Sequence, residues 1–246
     1  MGELFAVVSG KGGTGKTSVC AGIATALAEQ GKKVLCIDCD VGLRNLDISL
    51  GMTESGALSF LDVAEGAYPL DRAARHPSYL SLSFLTAPMN VSADGIDLKN
   101  FEAMLAQARK EFDYTFLDAP AGVDAGFQLT AKYADRFLVV TGAGPAAVRD
   151  AARVSDLLEL MGKKNVRLVV NRVDRDMLTT VRTTVDDVMD SAGLPLMGVV
   201  LEDPNVTLAA AFGKPLLQYA RRCNAAKAYR KMANRIQGFH EPITLR

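Results

Sequence analysis

Two lysines in a glycine-rich stretch are the residues of this chain best suited to chemistry on phosphate groups. Residues 10–17 read Gly-Lys-Gly-Gly-Thr-Gly-Lys-Thr, which matches the pattern G-x-x-x-x-G-K-T with a second lysine directly after its first glycine. The glycines allow backbone N–H groups to converge on an anion, and a following helix adds its dipole. In this pattern Lys16 reaches the β- and γ-phosphates and the Thr17 hydroxyl binds Mg²⁺. Lys11 stands too early in the loop to duplicate Lys16.

The residues around this loop supply the setting that a phosphate site needs. An apolar run rich in strand formers precedes it at residues 4–8, and residues 18–30 carry a helix pattern. The alternative is a tight turn before a helix, with Lys11 as a solvated charge. It is disfavoured because strand, loop, Lys-Thr pair and helix all agree. The candidate nucleotide-binding residues are Gly12, Gly13, Thr14, Gly15, Lys16, Thr17 and Ser18.

Apolar runs and helical patterns alternate along the chain and indicate the elements that position this loop. Strand-like runs recur at residues 4–9, 34–38, 80–86, 114–118, 137–141, 166–171 and 197–201. Helical segments separate most of them, which favours an α/β fold with a doubly wound, mostly parallel sheet and helices on both faces. No linker or internal repeat divides the chain. We therefore expect one domain over residues 1–246, with a core at about 4–237 and a tail at 238–246.

Polar residues come at the ends of three of these runs, where open α/β sheets bind ligands. Asp38 and Asp40 follow the second run, Asp118 ends the fourth, and Asn171 and Arg172 end the sixth. An aspartate on a buried strand can hold Mg²⁺ or accept a hydrogen bond from the phosphate loop, which is the role of a Walker B residue. We assign that role to Asp118. The alternative is that its carboxylate caps a neighbouring turn.

Two loops after these strands could respond to a γ-phosphate. Asp40 opens a segment, residues 41–47, that is too polar at its centre for a strand. Such a loop could bring Asp40 to an attacking water, whereas a simple turn former is the alternative. Residues 119–124 could sense the γ-phosphate through their backbone, although Pro120 would also suit a rigid structural turn.

Composition and charge limit the classes of partner. The 28 basic and 28 acidic residues cancel, so no global field recruits nucleic acid or an anionic membrane. The chain has no signal segment, and no apolar stretch approaches the roughly 20 residues that span a bilayer, so we expect a cytoplasmic protein. Cys36 and Cys39 have CxxC spacing, but alternation along a strand would point their side chains in opposite directions. We interpret them as buried free thiols.

Later segments show apolar stripes at helical spacing, which we expect to face the core. The stripe positions are Leu98, Phe101, Met104, Leu105 and Ala108 in one segment, and Val148, Ala151, Ala152, Val154, Leu157, Leu158 and Met161 in another. A third helix at residues 224–236 lies within a basic set, Arg221, Arg222, Lys227, Arg230, Lys231 and Arg235. A solvated face is the default interpretation of this set, and a stripe for DNA phosphates or anionic lipid is the functional one.

Three segments together resemble the deviant Walker A ATPases of the MinD/ParA group, whose signature is Lys-Gly-Gly-x-Gly-Lys-Thr/Ser. They are residues 9–17, residues 38–47 and residues 118–124. Looser agreement elsewhere extends the resemblance from residue 4 to about residue 235. Among the group, the motifs are most similar to those of the members that determine the septum site in bacterial cell division. One departure is Leu201, where the family often has proline before the Glu-Asp pair.

The resemblance implies an ATPase that uses Mg²⁺ and hydrolyses ATP to ADP and phosphate. ATP would drive a homodimer in which Lys11 of each subunit reaches the other subunit's phosphates, with the electrostatic logic of an arginine finger. The implied catalytic residues are Lys11, Lys16 and Asp40. The implied magnesium residues are Thr17, Asp40 and Asp118. Asn171, with Arg172 beside it, would contact the nucleotide at the adenine edge.

The resemblance also implies a switch that positions the division septum with a regulatory or activating protein partner. Alternatives are DNA partitioning, positioning of flagella or another polar machine, and a nucleotide-dependent scaffold with little hydrolysis. Relatives bind the membrane through a basic amphipathic C-terminal helix, but residues 237–246 are weakly basic and contain Gly238 and Pro242. We therefore expect any contact with the inner face of the cell membrane to pass through a partner.

Overall fold

A single twisted sheet forms the centre of the computed structural model, which describes residues 1–89, 91, 95–174, 176 and 184–243. The predicted tail therefore extends, at residues 244–246, outside the described residues. The described strands are β1 (Glu3–Val8), β2 (Val34–Asp38), β3 (Ala74–Arg75), β4 (Leu82–Leu85), β5 (Tyr114–Asp118), β6 (Arg136–Thr141), β7 (Val166–Val173) and β8 (Leu196–Leu201). Their order is β3-β4-β2-β5-β1-β6-β7-β8, and β3 alone among them runs antiparallel to its neighbour.

Helices cover both faces of this sheet, so the predicted doubly wound α/β fold is confirmed. They are α1 (Lys16–Glu29), α2 (Leu46–Leu50), α3 (Phe60–Ala64), a 3₁₀ turn (Leu70–Arg72), α4 (Leu98–Glu111), α5 (Ala125–Tyr133), α6 (Pro145–Leu160), α7 (Val185–Ala192), α8 (Pro204–Ala211), α9 (Leu216–Tyr219) and α10 (Asn224–Ile236). None of the helices in the described ranges combines the length and the apolar character needed to cross a membrane.

Strand β1 lies inside the sheet and leads directly to the phosphate loop. Its side chains alternate between two cores: Phe5 and Val7 face the one that includes α1 and α10, and Ala6 and Val8 face the one that includes α5 and α6. The ring of Phe5 stacks on Phe116 of β5, with centroids 5.1 Å apart. Burial of each such ring stabilises the fold by about 1.5–3 kcal/mol. The strand that carries the loop is therefore held firmly from both sides.

The strand register brings the predicted polar residues to one edge of the sheet. Asp118 lies opposite Val7 of β1 on one side and opposite Asp38 of β2 on the other. On the far side of β1, Thr141 of β6 pairs with Val170 of β7, one residue before Asn171. Because these strands are parallel, their carboxyl ends meet around the start of α1.

Helix α10 packs on α1, and part of its basic set is used in that packing. Arg230 Nε donates to Glu29 Oε2 at 2.6 Å, and Arg221 Nη2 lies 3.2 Å from Glu29 Oε1. Arg235 donates to the carbonyl oxygens of Met197 and Glu241. The default interpretation of a wholly solvated face is therefore wrong for Arg230 and Arg235, because α1 and the β8 edge supply acceptors beside the helix, whereas the side chain of Arg221 remains 73% exposed.

Two of the predicted core positions are also wrong. Leu98 is 44% exposed and Met161 is 40% exposed, because each stands at the end of its helix, beyond the packed turns. The other stripe positions of both helices are buried, except Ala152 and Leu157, which are only half-buried. Cys36 and Cys39 lie in cores on opposite faces of the sheet, as alternation predicts.

Candidate functional site

The phosphate loop connects β1 to α1 through two glycines in the left-handed region. Gly13 has φ 80° and Gly15, which precedes the helix, has φ 82°. No side chain caps the helix N-terminus, and its first turn carries no acidic residue. The free N–H groups of that turn and the helix dipole therefore remain available for an anion. A side chain at Gly15 is excluded, since its Cβ would lie 2.3 Å from Asn171 Nδ2.

The two lysines of the loop occupy opposite environments. Lys16 is 6% exposed, and its ammonium lies 3.0 Å from Asp118 Oδ1 in a buried ion pair. Burial alone would lower the pKa of Lys16, but the Asp118 carboxylate outweighs it and raises that pKa. Lys11 is exposed, and its ammonium makes no hydrogen bond or ion pair within the described residues. One lysine is therefore built into the site and the other projects from it.

The Thr17 hydroxyl lies beside Asp118 and acts to lower the pKa of its carboxyl, which burial raises overall. A strand-end carboxylate next to the loop hydroxyl is a donor set that can hold Mg²⁺ beside nucleotide phosphates. Within the described ranges, no group of three or more His, Cys, Asp or Glu side chains could hold a metal alone. The residues present therefore fit a Mg²⁺ ion that is shared with phosphates, because such an ion needs only one or two protein carboxylates.

Asp38 is a buried carboxyl that organises the loop after β2. Its Oδ1 accepts the Asp40 N–H at 2.9 Å and its Oδ2 accepts the Leu46 N–H at 3.2 Å. Burial, with repulsion from Asp118, raises the pKa of Asp38 to about 7. The group therefore changes charge near neutral pH while it holds both ends of the 40–46 loop.

Asp40 bonds to its own loop. Its Oδ1 accepts the N–H groups of Gly42 and Leu43 at 3.2 and 3.3 Å. The carboxylate is nevertheless near enough to Lys16 to contribute to its raised pKa. In this conformation Asp40 therefore both stabilises its own turn and lies beside the phosphate loop.

Asn171 and Arg172, at the end of β7, hold the phosphate loop from the opposite side. Asn171 Nδ2 donates to the Thr14 carbonyl at 2.8 Å. Arg172 Nη1 donates to the Gly13 carbonyl at 3.2 Å, and its Nε donates to Glu202 Oε2 at 2.9 Å. These contacts tie two carbonyl groups of the phosphate loop to the end of β7.

Two cavities open beside this arrangement. The larger, about 290 Å³, is lined in part by Lys11, Gly12, Thr14, Gly142, Pro145 and Asn171. The smaller, about 160 Å³, is lined in part by Ser18, Asn171, Leu201, Asp203, Thr207 and Tyr229. The Thr14 hydroxyl is buried and has no hydrogen-bond partner among the described residues. An orphaned hydroxyl of this kind fits a site that is completed by a polar ligand.

Several of these wall residues were not among the predicted site residues. The segment Gly142 to Pro145 follows β6 and lines the larger cavity, and the strand-end rule applied to the other runs would have found it. The sequence indicated Glu202 only as part of the Glu-Asp pair in the looser family resemblance. Asp203 accepts from Asn205 N–H at 3.1 Å and from Ala225 N–H at 3.2 Å, so it joins the starts of α8 and α10 at the cavity wall.

The phosphate loop also touches helix α6. A Cβ placed on Gly10 would lie 2.6 Å from the carbonyl oxygen of Asp150 and 2.7 Å from its Cβ. Arg149 beside it is exposed. The first residue of the loop is therefore packed directly against the backbone of a surface helix.

A glycine loop between an internal parallel strand and an open helix N-terminus, with a buried Lys–Asp pair beneath it, defines a P-loop nucleotide-binding protein. The comparisons with known proteins narrow this class. Residues 5–216 match the model of the CobQ/CobB/MinD/ParA nucleotide binding domain. The chain therefore belongs to the MinD/ParA family of ATPases.

Individual relatives specify the type. The septum site-determining protein MinD of Synechocystis sp. is 35% identical over 245 residues, which cover 99% of this chain and 92% of that protein. The chain is similar to a solved MinC:MinD cell division complex from Aquifex aeolicus, with TM-score 0.90, 35% identity and 98% coverage of each chain. MinD of Pyrococcus horikoshii with Mg-ADP gives TM-score 0.83 at 25% identity, covering 96% of each chain. The chain is accordingly a MinD-type ATPase, the type that determines the septum site in these relatives.

Proposed function

We propose that this chain, as one ATPase domain over residues 1–246, is a switch that dimerises when ATP is bound and thereby positions the division septum. The observation that carries the proposal is the division of labour between the two loop lysines. Lys16 is buried and paired with Asp118 at 3.0 Å, whereas Lys11 is exposed and projects from the same loop. A charge that projects from its own site is available to the phosphates of a second subunit, as an arginine finger supplied in trans is.

The residues of the site support a division of tasks in hydrolysis. Lys16 would bind the β- and γ-phosphates, and Thr17 with Asp118 would hold Mg²⁺, which neutralises charge on the phosphate oxygens. Asp40 would orient the water whose oxygen bonds to the γ-phosphorus as the bond to the β,γ-bridging oxygen breaks. Because Asp40 now accepts hydrogen bonds from its own loop, we propose that bound ATP reorders residues 40–46. Hydrolysis then releases ADP and phosphate and returns the dimer to monomers.

The base and ribose fit the second cavity best. The cavity begins at Ser18 on the first turn of α1, beside the phosphate loop, and Asn171 forms part of its wall. We propose that Asn171 contacts the adenine edge there, with its amide already oriented by the bond to the Thr14 carbonyl. Leu201 replaces the proline of many relatives in the same wall, so the base would rest against a branched side chain.

A protein partner completes the proposal. A MinD of Aquifex aeolicus is solved with MinC, so we propose that a protein partner binds this chain in the cytoplasm, where ATP is supplied. Contact with the inner face of the cell membrane would pass through that partner. We propose that the partner binds the exposed start of α6, with Arg149, because Gly10 links that helix to the phosphate loop.

DNA partitioning is the weaker candidate. Three cations of the C-terminal basic set, Arg221, Arg230 and Arg235, already bind acceptors within the chain. Association with duplex DNA requires cations that are available to phosphates. We therefore propose the division role ahead of a DNA-binding one.

The test is size-exclusion chromatography with light scattering of the wild type, Lys11→Ala and Lys110→Ala, each with ATP, with ADP and without nucleotide. Lys110 is an exposed lysine in the last turn of α4 and is the matched control. We expect a dimer only with ATP in the wild type and Lys110→Ala, and a monomer in every state for Lys11→Ala. A Lys11→Ala protein that still dimerises with ATP would overturn the proposed role of Lys11, and a wild type that stays monomeric would overturn the switch.

A further inference from the structure

The two cavities beside the phosphate loop meet at a pair of charged side chains. Asn171, Arg172 and Glu202 line both the 290 Å³ cavity and the 160 Å³ cavity. Asn171 belongs to the floor, since it is buried and bonded to the Thr14 carbonyl. The ion pair of Arg172 and Glu202 is instead half-exposed and borders both cavities. A ligand that occupies both cavities would contact this pair.

Arg172 is held across the loop rather than along the end of its strand. It has φ 56°, a conformation that non-glycine residues rarely adopt, at an irregularity of the β7–β8 pairing between Val170 and Val173. From there its guanidinium reaches Glu202 on one side and the Gly13 carbonyl on the other. The side chain therefore spans from the residue after β8 to the phosphate loop and borders both cavities.

We propose that the Arg172–Glu202 pair is a latch that closes the nucleotide site of the empty protein and must open before a nucleotide can enter. The inference rests on the proposed function, since that places the base in the smaller cavity, which the pair borders beside the phosphate loop. It gives Arg172 a role as a positioning residue at the entrance and adds Glu202 as its partner.

The latch is weak enough to open. The side chain of Arg172 is 58% exposed and that of Glu202 is 49% exposed, so water and salt compete for both charges. A half-exposed pair of this kind shifts an equilibrium by about two- to five-fold. A ligand that enters only the open state associates in proportion to the open fraction. Removal of the pair should therefore raise the association rate constant by about the same two- to five-fold.

Substitution of Arg172 or of Glu202 distinguishes a latch from simple electrostatic attraction of the nucleotide. Glu202→Gln removes a negative charge and Arg172→Gln removes a positive one. Charge steering predicts that an anionic nucleotide associates faster with the first variant and more slowly with the second. A latch predicts faster association with both, because each substitution breaks the same pair. The double variant should gain no more than either single variant.

The experiment is stopped-flow binding of a fluorescent N-methylanthraniloyl ATP with Mg²⁺ to the wild type, the two single variants, the double variant and Glu3→Gln. Glu3 forms a similar half-exposed pair with Arg136 at 3.1 Å, at the opposite end of β1, and is the matched control. We expect both single variants and the double variant to associate about two- to five-fold faster than the wild type at low salt. The control should bind at the wild-type rate, and the gain should vanish at high salt.

Opposite changes in the two single variants would overturn the latch in favour of charge steering. Unchanged association in both, with a wild type that binds the nucleotide, would also overturn it and leave the proposed function intact. A wild type without saturable binding would instead overturn the nucleotide site itself. The two failures are therefore distinguishable in one data set.

Discussion

The buried carboxyl of Asp38 should make the stability of the empty protein depend on pH in an unusual direction. Its pKa is raised from 3.8 to about 7. A carboxyl whose pKa is raised by folding adds no penalty below its unfolded pKa, and it costs stability progressively as the pH rises to its folded pKa. Acid pH should therefore remove a loss of folding stability that is fully present above pH 7. Asp38→Asn should remove the same loss at every pH.

The size of the effect follows from the shift. At about 1.36 kcal/mol for each pKa unit, the cost is roughly 1.6 kcal/mol at pH 5 and roughly 4 kcal/mol at pH 8. The amide introduced by Asp38→Asn would lose one acceptor for the N–H groups of Asp40 and Leu46, a loss of about 1–3 kcal/mol that does not depend on pH. The difference in unfolding free energy between Asp38→Asn and the wild type should therefore move in favour of the variant by about 2.5 kcal/mol from pH 5 to pH 8.

The assay is urea unfolding followed by far-ultraviolet circular dichroism, with nucleotide and Mg²⁺ removed, at pH steps from 5 to 8. Other groups titrate in both proteins and cancel in the difference. Asp187→Asn is the control, because hydrogen bonds from the Thr184 backbone and hydroxyl lower the pKa of Asp187 below its unfolded value, so its contribution to stability is already complete above pH 5. Its difference from the wild type should therefore stay flat from pH 5 to pH 8. A flat difference for Asp38→Asn across this range would refute the argument that burial keeps the group protonated.

Two further outcomes test the packing around the site. Gly22→Ala should destabilise the fold by about 1–3 kcal/mol in urea, because its Cβ would lie 2.1 Å from the ring of buried Tyr229. An unchanged midpoint of urea unfolding would mean that the ring can move aside. His76 accepts the N–H groups of Ser78 and Tyr79 on Nδ1, and burial lowers its pKa. Because the unfolded chain takes up the proton first, His76 should cost stability as the pH drops through 6.5, so the difference in unfolding free energy between His76→Asn and the wild type should move in favour of the variant from pH 7.5 to pH 5.5 by the same assay. An unchanged difference over this range would exclude that contribution of His76.

Much of the fold could be predicted from local patterns, because its strands are buried on both faces. Seven of the described strands coincide with apolar runs, and α10 has the predicted bounds. Strand β3 was missed because two residues, Ala74 and Arg75, carry no periodic signal. Of the site, the phosphate loop, Asp38 and Asp118 could be found because each follows or ends a recognisable strand.

The remaining features depend on contacts between segments far apart in the chain. Arg230 looks solvated in sequence, and only the packing of α10 on α1 supplies Glu29 as its partner. Glu202 likewise meets Arg172 only because β8 lies beside β7. Such pairings have no local signature, since neither partner's neighbours indicate which charge it will meet.

The close approach of Gly10 to Asp150 determines how the loop can communicate with the protein surface. No space remains for even a methyl group between them, so the two backbones cannot slide past each other by small side-chain adjustments. A displacement of the loop must therefore move α6 as a rigid body. The helix would change its position and would stay helical. Any residue with a side chain at position 10 would displace α6 permanently. This contact is consequently fixed by the two backbones, and substitutions on the outer face of the helix leave it unchanged.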